Sequence, residues 1–183
     1  MRSSSSPRGF SLLEVLVAIA VLSVALVTLV GLFTAAAGVT ALARDTTFAT
    51  LLASRKVEEL RALAFTYDSA GRPVTDTDTD TGLWPPGPAG AGLQPAAGTL
   101  AANVPGYVDH LDGFGRQVGG GAQPPGQARY TRRWQLMSLP DDPSGTLVVH
   151  VVVLPSRLAR VARAAPTGPG IVHLVALRTR KAS

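Results

Sequence analysis

Residues 8–43 read RGFSLLEVLVAIAVLSVALVTLVGLFTAAAGVTALA, and this stretch decides how the chain is organised. Glu14 is the only charged residue in it after Arg8, and the 29 residues from Val15 to Ala43 carry no charge. A helix of about 20 apolar residues crosses the hydrocarbon core of a bilayer, whereas the apolar core of a cleaved secretory signal has only about 7 to 15 residues. The stretch therefore predicts a membrane-spanning helix behind a short polar leader.

Composition divides the chain into two parts of different kinds. Of the 183 residues, 46% are hydrophobic and only 16% are charged, against roughly 25% charged in ordinary soluble domains. The apolar excess lies near the N-terminus, while 13 of the 14 prolines lie at or after Pro73. The hydrophobic content excludes disorder along the whole chain, and the lack of cysteine excludes disulfides and thiolate metal sites. The net charge of +5, from 17 basic and 12 acidic residues, indicates little about partners by itself.

The carboxylate within the apolar stretch needs a physical explanation. At the bilayer centre, Glu14 would cost on the order of 2.5 to 3.5 kcal/mol on insertion scales. Cleavage between Gly9 and Phe10, four residues before Glu14, would create an α-amine. That cation could pair with Glu14 of the same chain or of an adjacent subunit. The alternative is a glutamate tolerated near the lipid headgroups, and composition alone leaves both interpretations open.

The residues around Glu14 resemble a known signal. RGFSLLEV at residues 8–15, followed by an unbroken apolar run, resembles the type IV prepilin signature of type IV pilins and type II secretion pseudopilins. The resemblance implies that a prepilin peptidase of the inner membrane cuts after Gly9 on the cytoplasmic side and methylates the new N-terminus at Phe10. It also implies that Glu14 neutralises the N-terminal amine of a neighbouring pilin or pseudopilin subunit during assembly.

Two details of the sequence indicate which class of pilin the chain resembles. Many major pilins carry a proline seventeen residues after the signature glutamate, where this chain has Gly31. The sequences LLEVLVA at residues 12–18 and LASRKVEELRA at residues 52–62 are similar to those of minor pilins of the PilV type and of I-type pseudopilins. The resemblance therefore favours a minor pilin or pseudopilin over a major pilin.

The helical pattern continues beyond the apolar stretch. No proline occurs between Arg8 and Arg72, and apolar residues recur at steps of three and four up to Phe65. One helix from about residue 10 to residue 65 is therefore predicted, with half of its surface covered beyond Arg44.

The predicted division of the chain is a prepilin leader at 1–9, a membrane and assembly half of the helix at 10–43, an amphipathic half at 44–70, a Gly/Pro-rich loop region at 71–128 and a C-terminal β-sheet region at 129–183.

The second half of the chain predicts loops followed by strands. Residues 71–128 contain 13 glycines and 8 prolines, which is typical of loop-dominated sequence. Three β-like runs follow at residues 129–139, 146–154 and 171–178, and a turn at 140–145 joins the first two as a hairpin. The middle run is apolar on both faces, as in a central strand. These elements predict an α+β fold of the type IV pilin kind, in which the C-terminal half of the long helix packs on a small antiparallel sheet.

Alternating aspartates form a candidate calcium site. Asp76, Asp78 and Asp80 could converge oxygen ligands on a hard cation. However, Thr81 and Gly87 stand where an EF-hand loop has its glycine and glutamate. The favoured interpretation is a solvated acidic loop, with no cofactor.

The three histidines, His110, His150 and His173, are not arranged in any motif of a metalloenzyme or hydrolase. His150 and His173 lie within predicted strands and are expected to be structural. His110 lies in a glycine-rich loop in this prediction. No catalytic residue is predicted.

Basic residues interleaved with aromatic ones form a candidate site for nucleic-acid binding. Arg129, Arg132 and Arg133 have this arrangement, and such residues can grip phosphates and stack on bases. In a strand, Arg132 and Arg133 face opposite sides, so only part of the set forms one patch. After Asp142 the chain has six basic residues and no acidic one. This asymmetry favours DNA contact or, equally, a basic rim that contacts acidic neighbours in a filament.

The sequence as a whole favours a non-catalytic minor pilin or pseudopilin subunit, processed after Gly9 and assembled into a type IV pilus or pseudopilus through its N-terminal helix. One alternative is a competence-type pilin whose basic C-terminal domain binds DNA during uptake. Another is a solitary membrane-anchored domain. The expected location is the inner membrane, single-pass with a cytoplasmic N-terminus, and after assembly a periplasmic or cell-surface filament.

Overall fold

One long helix opens the described part of the chain. The computed structural model describes residues 11–78, 90–159 and 167–181. Helix α1 spans Leu12–Ala62 and so joins the predicted membrane-spanning stretch to the predicted amphipathic one. The chain divides into two units, Met1–Leu42 and Ala43–Ser183.

In the first unit, Ser11 sets the start of α1. Its hydroxyl oxygen accepts a hydrogen bond from the N–H of Leu13 at 3.3 Å, and its carbonyl accepts from the N–H of Glu14 at 3.0 Å. Ser11 thereby satisfies donors that the first turn of a helix leaves unpaired. All side chains from Ser11 to Leu42 are exposed. Hydroxyls inside the apolar run donate to the carbonyl one turn earlier, as in Ser23 to Ile19, Thr34 to Val30 and Thr40 to Ala36.

The second unit contains the sheet. The elements that follow α1 are β1 (Phe65–Tyr67), β2 (Pro73–Thr75), β3 (Val108–Leu111), β4 (Gln117–Gly119), β5 (Tyr130–Leu139), β6 (Asp142–Pro155), α2 (Ser156–Ala159) and β7 (Val172–Thr179). β1 and β2 pair with each other, and the other strands form a five-stranded sheet in the order β4-β3-β5-β6-β7. All of these pairings are antiparallel. The predicted hairpin of β5 and β6 is confirmed.

The hydrophobic core of the second unit lies between α1 and one face of the sheet, here called the inner face. Residues of α1 at steps of three and four are buried there, which is the pattern of a helix with one covered face. The helix contributes Ala49, Leu52, Ala53, Val57 and Leu60, and the sheet contributes Trp134, Leu136, Val149, Val151 and Val153. A smaller cluster on the outer face consists of Leu100, Val152, Leu154 and Ala159. The predicted α+β arrangement of a long N-terminal helix and an antiparallel sheet is confirmed.

Helix α1 ends at Ala62, before the predicted residue 65. The N–H of Ala64 donates to the Asp76 carboxylate at 2.6 Å, and Phe65 already belongs to β1. Phe65 is buried, but it reaches the core from a strand. The apolar spacing that predicted a helix up to Phe65 therefore reflects the burial of this side chain and not a helical backbone.

The region at 71–128, predicted as loops, contains three strands. β3 pairs with β5 and reads VDHL, with all four residues buried. Its polar residues break the apolar alternation by which a strand is recognised, and they are tolerated because each has a buried partner. β6 also begins earlier than predicted, at Asp142, whose carboxylate accepts hydrogen bonds from Gly145 N–H at 3.0 Å and Thr146 hydroxyl at 2.8 Å.

Candidate functional site

Glu14 lies in the first turn of α1 and is exposed. The helix N-terminus is an end where a negative charge is favoured. The side chains beside it on the same helix are apolar: Val15, Ala18, Ile19 and Leu22. Gly9 and Phe10, the predicted cleavage and methylation residues, lie outside the described residues.

The apolar half of α1 has the properties of a membrane segment. By length and composition, α1 is apolar enough to cross a membrane. In a bilayer, the exposed side chains of residues 11–42 would contact lipid tails or other apolar helices. A carboxylate in such surroundings calls for a cation or a hydrogen-bond donor. Glu14 as an assembly residue stays a prediction.

A cluster of charged side chains lies buried between α1 and the sheet. The ammonium of Lys56 lies 3.2 Å from Asp109 Oδ2 and 2.8 Å from Glu59 Oε1. Arg132 donates to the same Asp109 oxygen, from Nε at 3.1 Å and from Nη2 at 2.5 Å. Lys56 is 1% exposed and Asp109 is 2% exposed. Two cations thus share one buried carboxylate, and Glu59 lies at the rim of the cluster. This set is called the buried charge cluster below.

The indole of Trp134 forms the floor of this cluster. The Lys56 ammonium lies 3.9 Å from the centroid of the Trp134 ring, which is within the range of a cation–π contact. The Trp134 Nε1–H is buried and finds no acceptor within the described part of the chain. The ring therefore contributes packing and its π face, while its polar atom is left without a hydrogen bond.

The structure gives no support to the predicted nucleic-acid contacts of Arg132 and Arg133, because both side chains are buried. Arg132 belongs to the buried charge cluster, where it donates to Asp109. Arg133 lies on the opposite face of β5, as predicted, and donates to Asn103 Oδ1 at 2.9 Å and to the carbonyls of Leu100 and Ala159, each at 3.0 Å. Guanidinium groups committed to buried acceptors are not available to a phosphate backbone.

Arg129 is the exposed member of the three predicted nucleic-acid residues. Its side chain is 63% exposed and its Nη2 lies 3.4 Å from Asp45 Oδ1. The same Asp45 oxygen accepts a hydrogen bond from the hydroxyl of Tyr130 at 3.0 Å. One exposed arginine beside a carboxylate does not form a basic patch.

The aspartates proposed for calcium do not form a common site in the described residues. Asp76 accepts the hydrogen bond from Ala64 that follows the end of α1. Asp78 is exposed, and Asp80 lies outside the described residues. Within the described ranges, no three His, Asp or Glu side chains lie together as a metal site. Calcium binding remains an untested prediction.

His110 is a strand residue and not a loop residue, which corrects the prediction. It lies in β3 and is 0% exposed. Its Nδ1 lies 3.1 Å from Thr131 Oγ1 and its Nε2 lies 2.7 Å from the Gly121 carbonyl oxygen. Burial lowers the pKa of His110, although the hydrogen bond to Gly121 acts in the opposite direction. His150 and His173 lie in β6 and β7, in agreement with the strand predictions.

Two arginines near the C-terminus have roles that the sequence did not reveal. The guanidinium of Arg178 donates to the carbonyls of Leu60 and Leu63 at the end of α1. Arg180 donates to one carbonyl in β1 at 3.0 Å and to one in β2 at 2.7 Å. The only sequence signal was two arginines spaced two residues apart, one in β7 and one directly after it. Their acceptors are backbone carbonyls, which carry no residue type to search for.

The comparison with known families matches the start of the chain. A family model described as the prokaryotic N-terminal methylation motif matches residues 4–30. No curated protein and no solved structure matches the chain. The matched residues include Gly9, Phe10 and Glu14, and the motif implies processing by a prepilin peptidase and assembly with other pilin subunits. In its methylation motif, and in the order of a long apolar helix followed by an antiparallel sheet, this chain resembles the type IV pilins.

Proposed function

We propose that the chain is a non-catalytic minor pilin or pseudopilin subunit. A prepilin peptidase processes it after Gly9 and methylates Phe10. The mature subunit is held in the inner membrane by the apolar half of α1, with a cytoplasmic N-terminus, and then enters a type IV pilus or pseudopilus. Before assembly Glu14 lies at the membrane, and in the filament it pairs with the N-terminal amine of a neighbour.

One observation carries this proposal. The methylation motif at residues 4–30 runs directly into a helix whose apolar side chains from Ser11 to Leu42 are all exposed. Exposed apolar surface on this scale needs lipid or protein to cover it. A subunit that moves from a bilayer into a helix-packed filament exchanges one apolar covering for the other.

The second unit supports a structural role over a catalytic one. Three of its buried polar side chains are committed to partners within the fold: Arg132 to Asp109, Arg133 to backbone carbonyls, and His110 to Thr131 and Gly121. A catalytic acid or base needs access to a substrate. The burial of Arg132 and Arg133 likewise removes the reason for preferring a DNA-binding subunit.

Mass spectrometry of the mature protein tests the processing step. Cells with an active prepilin peptidase should yield a chain that lacks residues 1–9 and carries one added methyl group on Phe10. A chain that keeps its leader in such cells would contradict the proposal.

Incorporation of Glu14→Ala into sheared filaments tests the assembly step. The variant should insert into the membrane normally and be reduced in the filament fraction, because the amine of its neighbour loses a partner. Thr28→Ala is the matched control, since the Thr28 hydroxyl bonds within its own helix. Equal incorporation of both variants would remove the pairing role. Processing of the wild-type chain without any filament incorporation would favour the solitary anchored domain.

A further inference from the structure

Two histidines meet on the outer face of the sheet, away from the buried charge cluster. In the register of β6 and β7, His150 lies opposite Val175 and His173 lies opposite Val152. Side chains two residues apart in a strand share a face, so His150 and His173 are diagonal neighbours on one face. Diagonal neighbours across an antiparallel pair are within reach of ring-sized side chains.

The two rings present nitrogen atoms to each other. His150 Nδ1 lies 3.3 Å from His173 Nε2, and the ring centroids are 5.4 Å apart at an interplanar angle of 37°. Two nitrogens that each lie about 2.0–2.1 Å from a tetrahedral zinc ion are about 3.3–3.4 Å apart. The separation in the structure therefore equals that of two imidazole ligands of one ion.

The surroundings keep this pair accessible to solvent. His173 is exposed, and His150 is half-buried. Burial, together with the nearby His173, lowers the pKa of His150, and neutral imidazole is the form that binds metal. Two of the flanking side chains are apolar and exposed, namely Val175 at 56% and Leu177 at 63%. An apolar border limits competition from other polar groups for the ion.

We propose that His150 and His173 form a two-ligand site for a late first-row divalent metal ion of the Cu²⁺, Ni²⁺ or Zn²⁺ class, with water in the remaining positions. Imidazole nitrogen suits these ions, whereas Ca²⁺ and Mg²⁺ take oxygen ligands. The site is independent of the N-terminal segment and of filament assembly. The rival for the same geometry is a plain N–H···N hydrogen bond between the two rings.

Metal titration of the full chain tests the proposal. The detergent-solubilised protein, purified without a histidine tag, is titrated with CuCl₂, NiCl₂ and ZnCl₂ by calorimetry. One ion per chain should bind, with Cu²⁺ tightest in the order expected for nitrogen ligands. His173→Gln and His150→Gln should each weaken binding by about 10-fold or more, since even loss of an outer-shell partner costs 10- to 100-fold.

Gln135→Ala is the matched control, because Gln135 lies directly opposite His150 in β5 and provides no imidazole. It should bind metal as the wild-type chain does. His173 is exposed, so His173→Gln is expected to fold, and circular dichroism checks this. The absence of one-to-one binding in the wild-type chain would overturn the proposal, as would unchanged affinity in a folded His173→Gln chain.

Discussion

Asp109 is the carboxylate that balances two buried cations, Lys56 and Arg132. Removing charges from water costs several kcal/mol per ion, and mutual attraction offsets this cost only while the partners are in place. We therefore expect Asp109→Asn to lower the free energy of unfolding by about 3 to 5 kcal/mol. Denaturant unfolding of the detergent-solubilised chain, followed by circular dichroism, measures this change.

Glu58→Gln is the matched control for Asp109→Asn. Glu58 pairs with Arg61 at 2.9 Å on the surface of α1, and its side chain is 68% exposed. The loss of an exposed pair changes stability by no more than about 1 kcal/mol. If Asp109→Asn and Glu58→Gln unfold at the same denaturant concentration, the buried cations do not depend on Asp109.

His110 should make part of the stability depend on pH. Burial lowers its folded-state pKa below the unfolded value of about 6.5. Above pH 6.5 the imidazole is neutral in both states, so its contribution is fully present. As the pH falls from about 6.5 towards the folded-state pKa, the unfolded state binds more protons and the free energy of unfolding decreases.

The His110→Gln variant isolates this effect. We expect it to be less stable at pH 7, because it loses a buried pair of hydrogen bonds, and to lose less further stability than wild type between pH 7 and pH 5. Urea unfolding at several pH values measures both quantities. Parallel pH curves for the two chains would show that His110 is not the titrating group.

At the scale of single residues, the sequence reveals residue types but not the residues with which they pair. The interleaved arginines of β5 have the composition of a nucleic-acid surface, yet Arg132 finds its carboxylate 23 positions earlier in the chain. The opposite directions of Arg132 and Arg133 followed from strand geometry alone, and this prediction is confirmed. The acceptors of Arg133 are largely backbone carbonyls, which no residue pattern can indicate.

The end of α1 depends on an element from the other end of the chain. Arg178 in β7 donates to two carbonyls in the last turn region of the helix, where orphan acceptors need partners. Hydrogen bonds of a charged group contribute about 1.5 to 3 kcal/mol. We expect Arg178→Ala to reduce the free energy of unfolding by about this amount, measured by denaturant unfolding.

Arg178→Lys and Arg157→Ala provide the comparison. Lysine keeps the charge but lacks the planar fork that serves two acceptors at once, so it should recover only part of the loss. Arg157 is exposed in α2, and its removal should have little effect. Full stability of Arg178→Ala would mean that solvent satisfies the helix end equally well.

Long elements were predictable from the sequence and short ones were not. The apolar run and the proline-free stretch up to Arg72 indicate α1, and the three β-like runs at residues 129–139, 146–154 and 171–178 indicate β5, β6 and β7. β3 has only four residues, two of them polar, and β1 follows the helix after a break of two residues. Strands this short are stabilised mainly by the strands with which they pair, so their own sequence gives little indication of them.

At the scale of the whole molecule, composition and structure divide the chain at the same place. The uncharged run ends at Ala43, and the boundary between the two units along the chain lies between Leu42 and Ala43. Every buried core residue among the described ones lies at or after Ala49. The first unit therefore supplies exposed apolar surface, and the second unit supplies the buried core.

This division predicts that residues 43–183 fold without the apolar half of α1. A fragment of that range should be soluble without detergent and should show a cooperative unfolding transition, because its core and the buried charge cluster are complete within it. Circular dichroism and size-exclusion chromatography measure these properties. Asp109→Asn in the fragment should lower its stability by the same amount as in the full chain, since the residues that contact Asp109 are all retained. An aggregated or unfolded fragment would show instead that the N-terminal half of the helix is required for the fold of the second unit.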